Sequence, residues 1–185
     1  MKGQIRAVDL AGGDDERSAA LLGLAIAGCE EAGGSVRQRE ILTRKGARVR
    51  AGEFDDGVVE DLARALTGVG GLLVGIPGDL DAIADLVDEA LISLGYDPDD
   101  DLGPLYGTIV GVVGVGGEDT GDLSSIDRIW EALTEAGALV LPGAVVIDGS
   151  KRSFDSDGQP LNQRHKLAAQ EVGASVARLV RRMGL

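Results

Sequence analysis

The sequence predicts an α/β sandwich, a five-stranded parallel sheet with helices on both faces. Two observations carry that prediction. Short apolar runs alternate with stretches of helical periodicity along all 185 residues, the order that builds βαβ units. The clearest runs, Leu72 to Ile76 and Thr108 to Val115, are continuously apolar, as in strands buried on both faces.

The first strand is read from Ile5 to Ala11, broken by Gly12-Gly13-Asp14-Asp15. A helix follows, with Ser18 as its expected N-cap and Leu21, Leu24, Ala25 and Cys29 at helical spacing, stopped by Gly33-Gly34. Ser35 to Leu42 alternates weakly and reads as an edge strand. Thr43 to Gly57 is a long connection, followed by a helix with Val59, Leu62, Ala63 and Leu66 on one face. The third strand ends at Pro77-Gly78, and the next helix carries Ile83, Leu86, Val87, Ala90 and Leu94. The fourth strand exits through Gly116 to Gly121 into a helix with Ile126, Ile129, Trp130 and Leu133 inward. A fifth strand, Ala138 to Leu141 and then Ala144 to Ile147, is interrupted by Pro142-Gly143, which marks a bend. After a turn at Asp155 to Gly158, the last helix is expected from about Leu161 to Met183, with Leu167, Val172, Val176, Leu179 and Val180 inward. With right-handed crossovers, five strands favour the flavodoxin-like order 2-1-3-4-5. No linker, repeat or low-complexity tail interrupts the chain, so residues 1–185 read as one domain.

Charge and composition narrow the function. The net charge is −13 (18 Lys plus Arg against 31 Asp plus Glu), a field that disfavours nucleic acid. Aromatics are 3%, too few for broad base-stacking surfaces. No apolar run approaches the length of a membrane span or a signal-peptide core. A single cysteine, Cys29, excludes an intramolecular disulfide and a thiolate-rich metal site, so a cytoplasmic setting is expected. Asp outnumbers Glu (20 to 11) and Arg outnumbers Lys (14 to 4), a bias that suits either high salt or a GC-rich genome.

In such a sheet ligands bind beyond the carboxyl ends of the strands. Three loops are nominated: Gly12 to Ser18, Pro77 to Asp81, and Gly114 to Gly121. The first leads into a helix N-terminus, which favours an anion. It lacks the lysine of a nucleotide-binding P-loop and the glycine spacing of a dinucleotide fingerprint. A phosphorylation-receiver reading would use Asp14-Asp15 for a metal, Thr120 and Lys151. Its phosphate acceptor fails, because Val74-Gly75-Ile76 stands where an Asp is needed.

The chain as a whole resembles the NAD(P)H-dependent FMN reductases of the flavodoxin-like fold. The resemblance rests on Gly52-Glu53-Phe54-Asp55-Asp56, Val69 to Pro77, Ile109 to Gly117, Ala136 to Pro142, and Phe154 to Gly158 with the long last helix. It implies FMN held noncovalently by Gly12, Gly13, Arg17, Ser18, Pro77, Gly78, Asp79, Gly114, Gly116 and Gly117. NAD(P)H would be the electron donor, a small molecule such as a flavin or quinone the acceptor, and the assembly a dimer or tetramer. No dedicated catalytic residue and no metal are implied. The family's Ser-x-Arg-x-x-Ser-x-Asn phosphate loop is replaced here by Ala11-Gly12-Gly13-Asp14-Asp15-Glu16-Arg17-Ser18. Its Pro-Glu-Tyr-Asn-Gly loop is replaced by Pro77-Gly78-Asp79-Leu80-Asp81. The alternative is therefore a flavodoxin-fold subunit that has lost flavin and acts as a binding or assembly partner.

Other residues have plain readings. His165 is expected as a surface helix histidine rather than a proton donor. Cys29 reads as a small core residue. Asp99-Asp100-Asp101 reads as a solvated acidic loop, since calcium loops space their ligands. The basic cluster Arg44, Lys45, Arg48 and Arg50 suits the 2′-phosphate of NADPH, an acidic partner surface or the chain's own carboxylates, and Trp130 the core or a subunit interface.

Overall fold

A computed structural model describes residues 4–10, 15–40, 56–77, 81–97, 102–116, 124–150 and 152–185. The elements run β1 (Gln4–Asp9), α1 (Glu16–Glu31), β2 (Ser35–Glu40), α2 (Asp56–Leu66), β3 (Gly71–Ile76), α3 (Asp81–Ser93), β4 (Ile109–Val115), α4 (Ser124–Glu135), β5 (Leu139–Val140), β6 (Val145–Ile147) and α5 (Gln163–Met183). The sheet order is β2-β1-β3-β4-β5, and every pairing is parallel. β5 and β6 are two pieces of one fifth strand, both laid against β4 and separated by the Pro142-Gly143 bend. The five-stranded 2-1-3-4-5 order expected from the sequence is the order observed.

Strand alternation sorts the core into two layers. Val8, Leu72, Val74, Ile76, Val110 and Val112 face α2, α3 and α4. Ile5, Ala7, Leu73, Ile109, Val113 and Val115 face α1 and α5. The second face is cut low by glycine. A Cβ at Gly71 would stand 2.8 Å from Val180, and one at Gly111 would stand 2.7 Å from Val172, so α5 sits close over β3 and β4. The two helices on this face also touch backbone to backbone. A Cβ at Gly173 of α5 would stand 1.7 Å from the Ala25 carbonyl oxygen of α1, and one at Gly28 would stand 2.0 Å from that of Gln170.

Arg6 lies on the α2 face between Ile5 and Ala7. Its Nη1 donates to the carbonyls of Arg64, Ala65 and Thr67, at 2.7–2.9 Å, where α2 ends. A helix C-terminus leaves those carbonyls without intrahelical partners and carries partial negative charge, so a guanidinium satisfies both needs.

Several sequence expectations are corrected. Asp15, not Ser18, caps α1: its Oδ1 accepts the Arg17 backbone N–H at 3.0 Å, and Ser18 falls inside the first turn. Leu167 is 55% exposed rather than inward, because it lines an open groove between α5 and the end of α1 with Gly28, Glu31 and Gln170. Trp130 is 38% exposed, at the margin of the α4 stripe. His165 is half-buried, and its Nδ1 is enclosed with no hydrogen-bond partner among the described residues. The basic cluster and Asp99-Asp100-Asp101 lie outside the described residues.

Candidate functional site

The carboxyl ends of β1, β3, β4 and β6 form one rim of the sheet, and the N-terminus of α1 opens onto it. β1 ends at Asp9, which is register-paired with Gly75 of β3 and only 1% exposed. Asp9 shares the α1 face with Ile5 and Ala7 by alternation. Gly75 makes room here: a Cβ at that position would stand 3.4 Å from Ser18 Oγ and 3.2 Å from Leu22. Ser18 is fully buried, and among the described residues its hydroxyl has no hydrogen-bond partner. An enclosed hydroxyl without a partner is costly, roughly 1–3 kcal/mol, and such atoms mark places where something else completes the site.

Beside it stands a charged clasp. Arg17 Nε donates to Asp15 Oδ1 at 3.0 Å and Nη2 to Oδ2 at 3.3 Å, a two-toothed pairing. Arg17 Nη1 reaches across to the Gly149 carbonyl, at 2.6 Å. The pair is sheltered, with side chains 26% and 14% exposed. The Asp15 carboxylate therefore lies at the positive end of the helix dipole, where an anion is favoured, and is matched there by a guanidinium.

The segment after β6 is moulded around this clasp. A Cβ at Gly149 would stand 2.3 Å from the Gly116 carbonyl oxygen, so only glycine brings its own carbonyl under Arg17. Ser150 donates through its N–H and hydroxyl to Asp148, and these bonds, the hydroxyl's first, hold the Asp148 carboxyl below the usual carboxylate range. Farther on, Phe154 pairs with Pro160 and buries its ring, while Gly158 (φ 71°) turns the chain against the start of α1. A Cβ there would stand 2.8 Å from the Glu16 carbonyl.

The residues implied by the family resemblance divide as follows. Arg17 and Ser18 both lie in the first turn of α1, Arg17 turned to Asp15 and the Gly149 carbonyl and Ser18 packed against Gly75. Pro77 is buried directly after β3. Gly114 lies inside β4, where a Cβ would stand 3.3 Å from Ile126. The Gly116 N–H is bonded to the Ile147 carbonyl at 2.8 Å. Gly12, Gly13, Gly78, Asp79 and Gly117 lie outside the described residues. Sequence reasoning missed Asp9, Gly149 and Gly158. Asp9 lies inside the apolar run Ile5 to Ala11, where nothing in the sequence marks it as the strand's last residue, and the two glycines act through contacts more than 130 residues away in the chain. Among the described residues no group of three metal-ligating side chains occurs.

A second concavity lies on the opposite face. About 500 Å³ of space between α4 and the Pro142-Gly143 bend is lined by Ile126, Asp127, Trp130, Pro142, Gly143, Ala144 and Val146.

No protein-family model and no curated protein sequence matches the chain. Solved structures do. RosB with a bound 8-demethyl-8-formylriboflavin-5′-phosphate intermediate is similar at TM-score 0.64 and 14% identity, over 98% of this chain and 81% of that one. An NADH:FMN oxidoreductase in its apo form is similar at TM-score 0.59 and 15% identity, over 95% and 90%. A flavodoxin from the domain Archaea is similar at TM-score 0.60 and 16% identity, over 96% and 99%. At such identities the likeness speaks for architecture alone, and that architecture is the flavodoxin-like fold.

Proposed function

We propose that the chain is a flavin-dependent oxidoreductase that passes electrons from NAD(P)H to a small acceptor such as a free flavin or a quinone. The observation that carries this reading is the buried, unpartnered Ser18 hydroxyl at the rim of a flavodoxin-like sheet. Parallel α/β sheets take their ligands at that rim. The resemblance to FMN reductases and the flavin or FMN named for two of the similar structures support it.

FMN is the form of flavin that the resemblance implies. Bound there, a flavin would supply hydride acceptance and electron release, and the chain would supply position. Ser18 Oγ suits it, since a hydroxyl donates to any oxygen of the ligand. Arg17 does not suit a phosphate as it stands, because Asp15 and the Gly149 carbonyl already hold its guanidinium. The described residues fit a flavin's uncharged polar chain and not its dianionic end.

That same clasp favours the second reading, a flavodoxin-fold subunit without flavin that works as a binding or assembly partner. Titration of the purified chain with riboflavin and with FMN, followed by flavin fluorescence, separates the two. Quenching at micromolar protein, with flavin-dependent NAD(P)H oxidation, is expected. Absence of both for both flavins would refute the oxidoreductase reading. A cytoplasmic homo-oligomer belongs to the same proposal, and light scattering that finds only monomer would remove the oligomer. Among the described residues no helix is long and apolar enough to cross a membrane.

A further inference from the structure

We propose that the rim selects a flavin without its 5′-phosphate, riboflavin over FMN, because the Asp15 carboxylate occupies the place of the phosphate. The proposal rests on the flavin reading above and specifies its ligand. The start of α1 would ordinarily attract a phosphate through its free N–H groups and dipole. Here Asp15 has taken that position from within the chain: its carboxylate accepts the Arg17 N–H and pairs with the Arg17 guanidinium. A second carboxyl group, Asp9, is buried at the neighbouring strand end.

The chemistry of the two ligands differs at this point. A phosphate only accepts hydrogen bonds and carries close to two negative charges. Beside Asp15 it would meet an acceptor of its own sign, and to win Arg17 it would have to break the clasp and uncap the helix. A primary hydroxyl donates as well as accepts. It can donate to the Asp15 carboxylate and accept from the buried Ser18 hydroxyl, which has no partner among the described residues. The ligand then satisfies the Ser18 hydroxyl without disturbing the charged pair.

The test titrates the full chain with riboflavin and FMN by fluorescence quenching in low salt, as wild type, Asp15→Asn and Glu31→Gln. Asparagine caps helices as well as aspartate does, so Asp15→Asn keeps the cap while removing the charge. Glu31 lies at the far end of α1 and controls for net charge alone. The wild type is expected to bind riboflavin at least tenfold more tightly than FMN. Asp15→Asn should tighten FMN at least threefold with riboflavin little changed, and Glu31→Gln should leave the ratio as it was. FMN binding as tight as riboflavin in the wild type would overturn the proposal and leave the flavin reading standing, as would a ratio unmoved by Asp15→Asn or moved equally by Glu31→Gln. Failure of both flavins to bind every variant would overturn both.

Discussion

Replacing Gly173 by alanine tests whether α1 and α5 are locked backbone to backbone. The new methyl would stand 1.7 Å from the Ala25 carbonyl oxygen, 2.7 Å from its carbon and 3.0 Å from the Cys29 nitrogen. Carbon and carbonyl oxygen approach to about 3.3 Å at closest, so the helices must part by roughly 1.5 Å. The atoms in the way are main chain, so no rotamer change relieves the clash. A gap of about 1 Å forfeits up to half of the dispersion energy of each contact across it. Overpacking of this kind costs about 1–3 kcal/mol and occasionally more. The exchange of glycine for alanine in a helix returns about 1 kcal/mol. We expect a net loss of about 1–2 kcal/mol by urea denaturation at pH 7, or about 2–8 °C in Tm for a chain of this length. Gly23 provides the matched control on α1. It is exposed, and a Cβ there meets nothing within 4 Å. Gly23→Ala should therefore stabilise by about 0.5–1 kcal/mol. A Gly173→Ala protein as stable as wild type, or two substitutions shifting stability in the same direction, would refute the backbone contact.

Arg6→Met should cost about 1.5–3 kcal/mol by the same denaturation, since it strips a charged donor from three carbonyls at the end of α2; a loss below about 0.5 kcal/mol would mean that water replaces the guanidinium. Burial first, and the neighbouring Glu30 second, push the Cys29 thiol up to about 11. The stability this provides is whole below about pH 9, the ordinary thiol range, and is lost as pH rises through 11. An alkaline titration of Tm should fall across that window, and less steeply in Cys29→Ala. Native protein at pH 8 should also resist thiol alkylation that the unfolded chain accepts. Arg17→Ala should loosen the segment after β6, read as faster amide exchange around Gly149 and Phe154, because it removes the tie between α1 and the Gly149 carbonyl. Added sodium chloride should raise Tm by screening the self-repulsion of a chain at net charge −13; a Tm that falls with salt would show attractive pairs prevailing.

The layer order of the fold was legible because it is written in local periodicity. β3 and β4 are continuous apolar runs, and every helix carries an apolar stripe that the sheet covers. The bend in the fifth strand was legible for a similar reason, since Pro142-Gly143 interrupts an otherwise apolar run. The site was less so. Arg17 and Ser18 were found because a glycine-broken loop precedes them, yet what they do depends on spatial neighbours. Arg17 is decided by Gly149, 132 residues away, and Ser18 by the space left at Gly75. The cap was misplaced by three residues because Asp15 and Ser18 are both good cap types, and only the geometry of the turn distinguishes them. Leu167 was misjudged because a period of 3.6 fixes the direction of a stripe and not its width.

The kink that splits the fifth strand has a bearing on how copies of the chain could meet. This strand borders the sheet, and a straight outer strand invites another chain to zip alongside it. Proline at 142 offers no amide hydrogen, and the left-handed glycine at 143 (φ 104°) swings the main chain out of line. Strand addition along this edge is thereby disfavoured, so a dimer using this flank would be built from side chains such as Trp130.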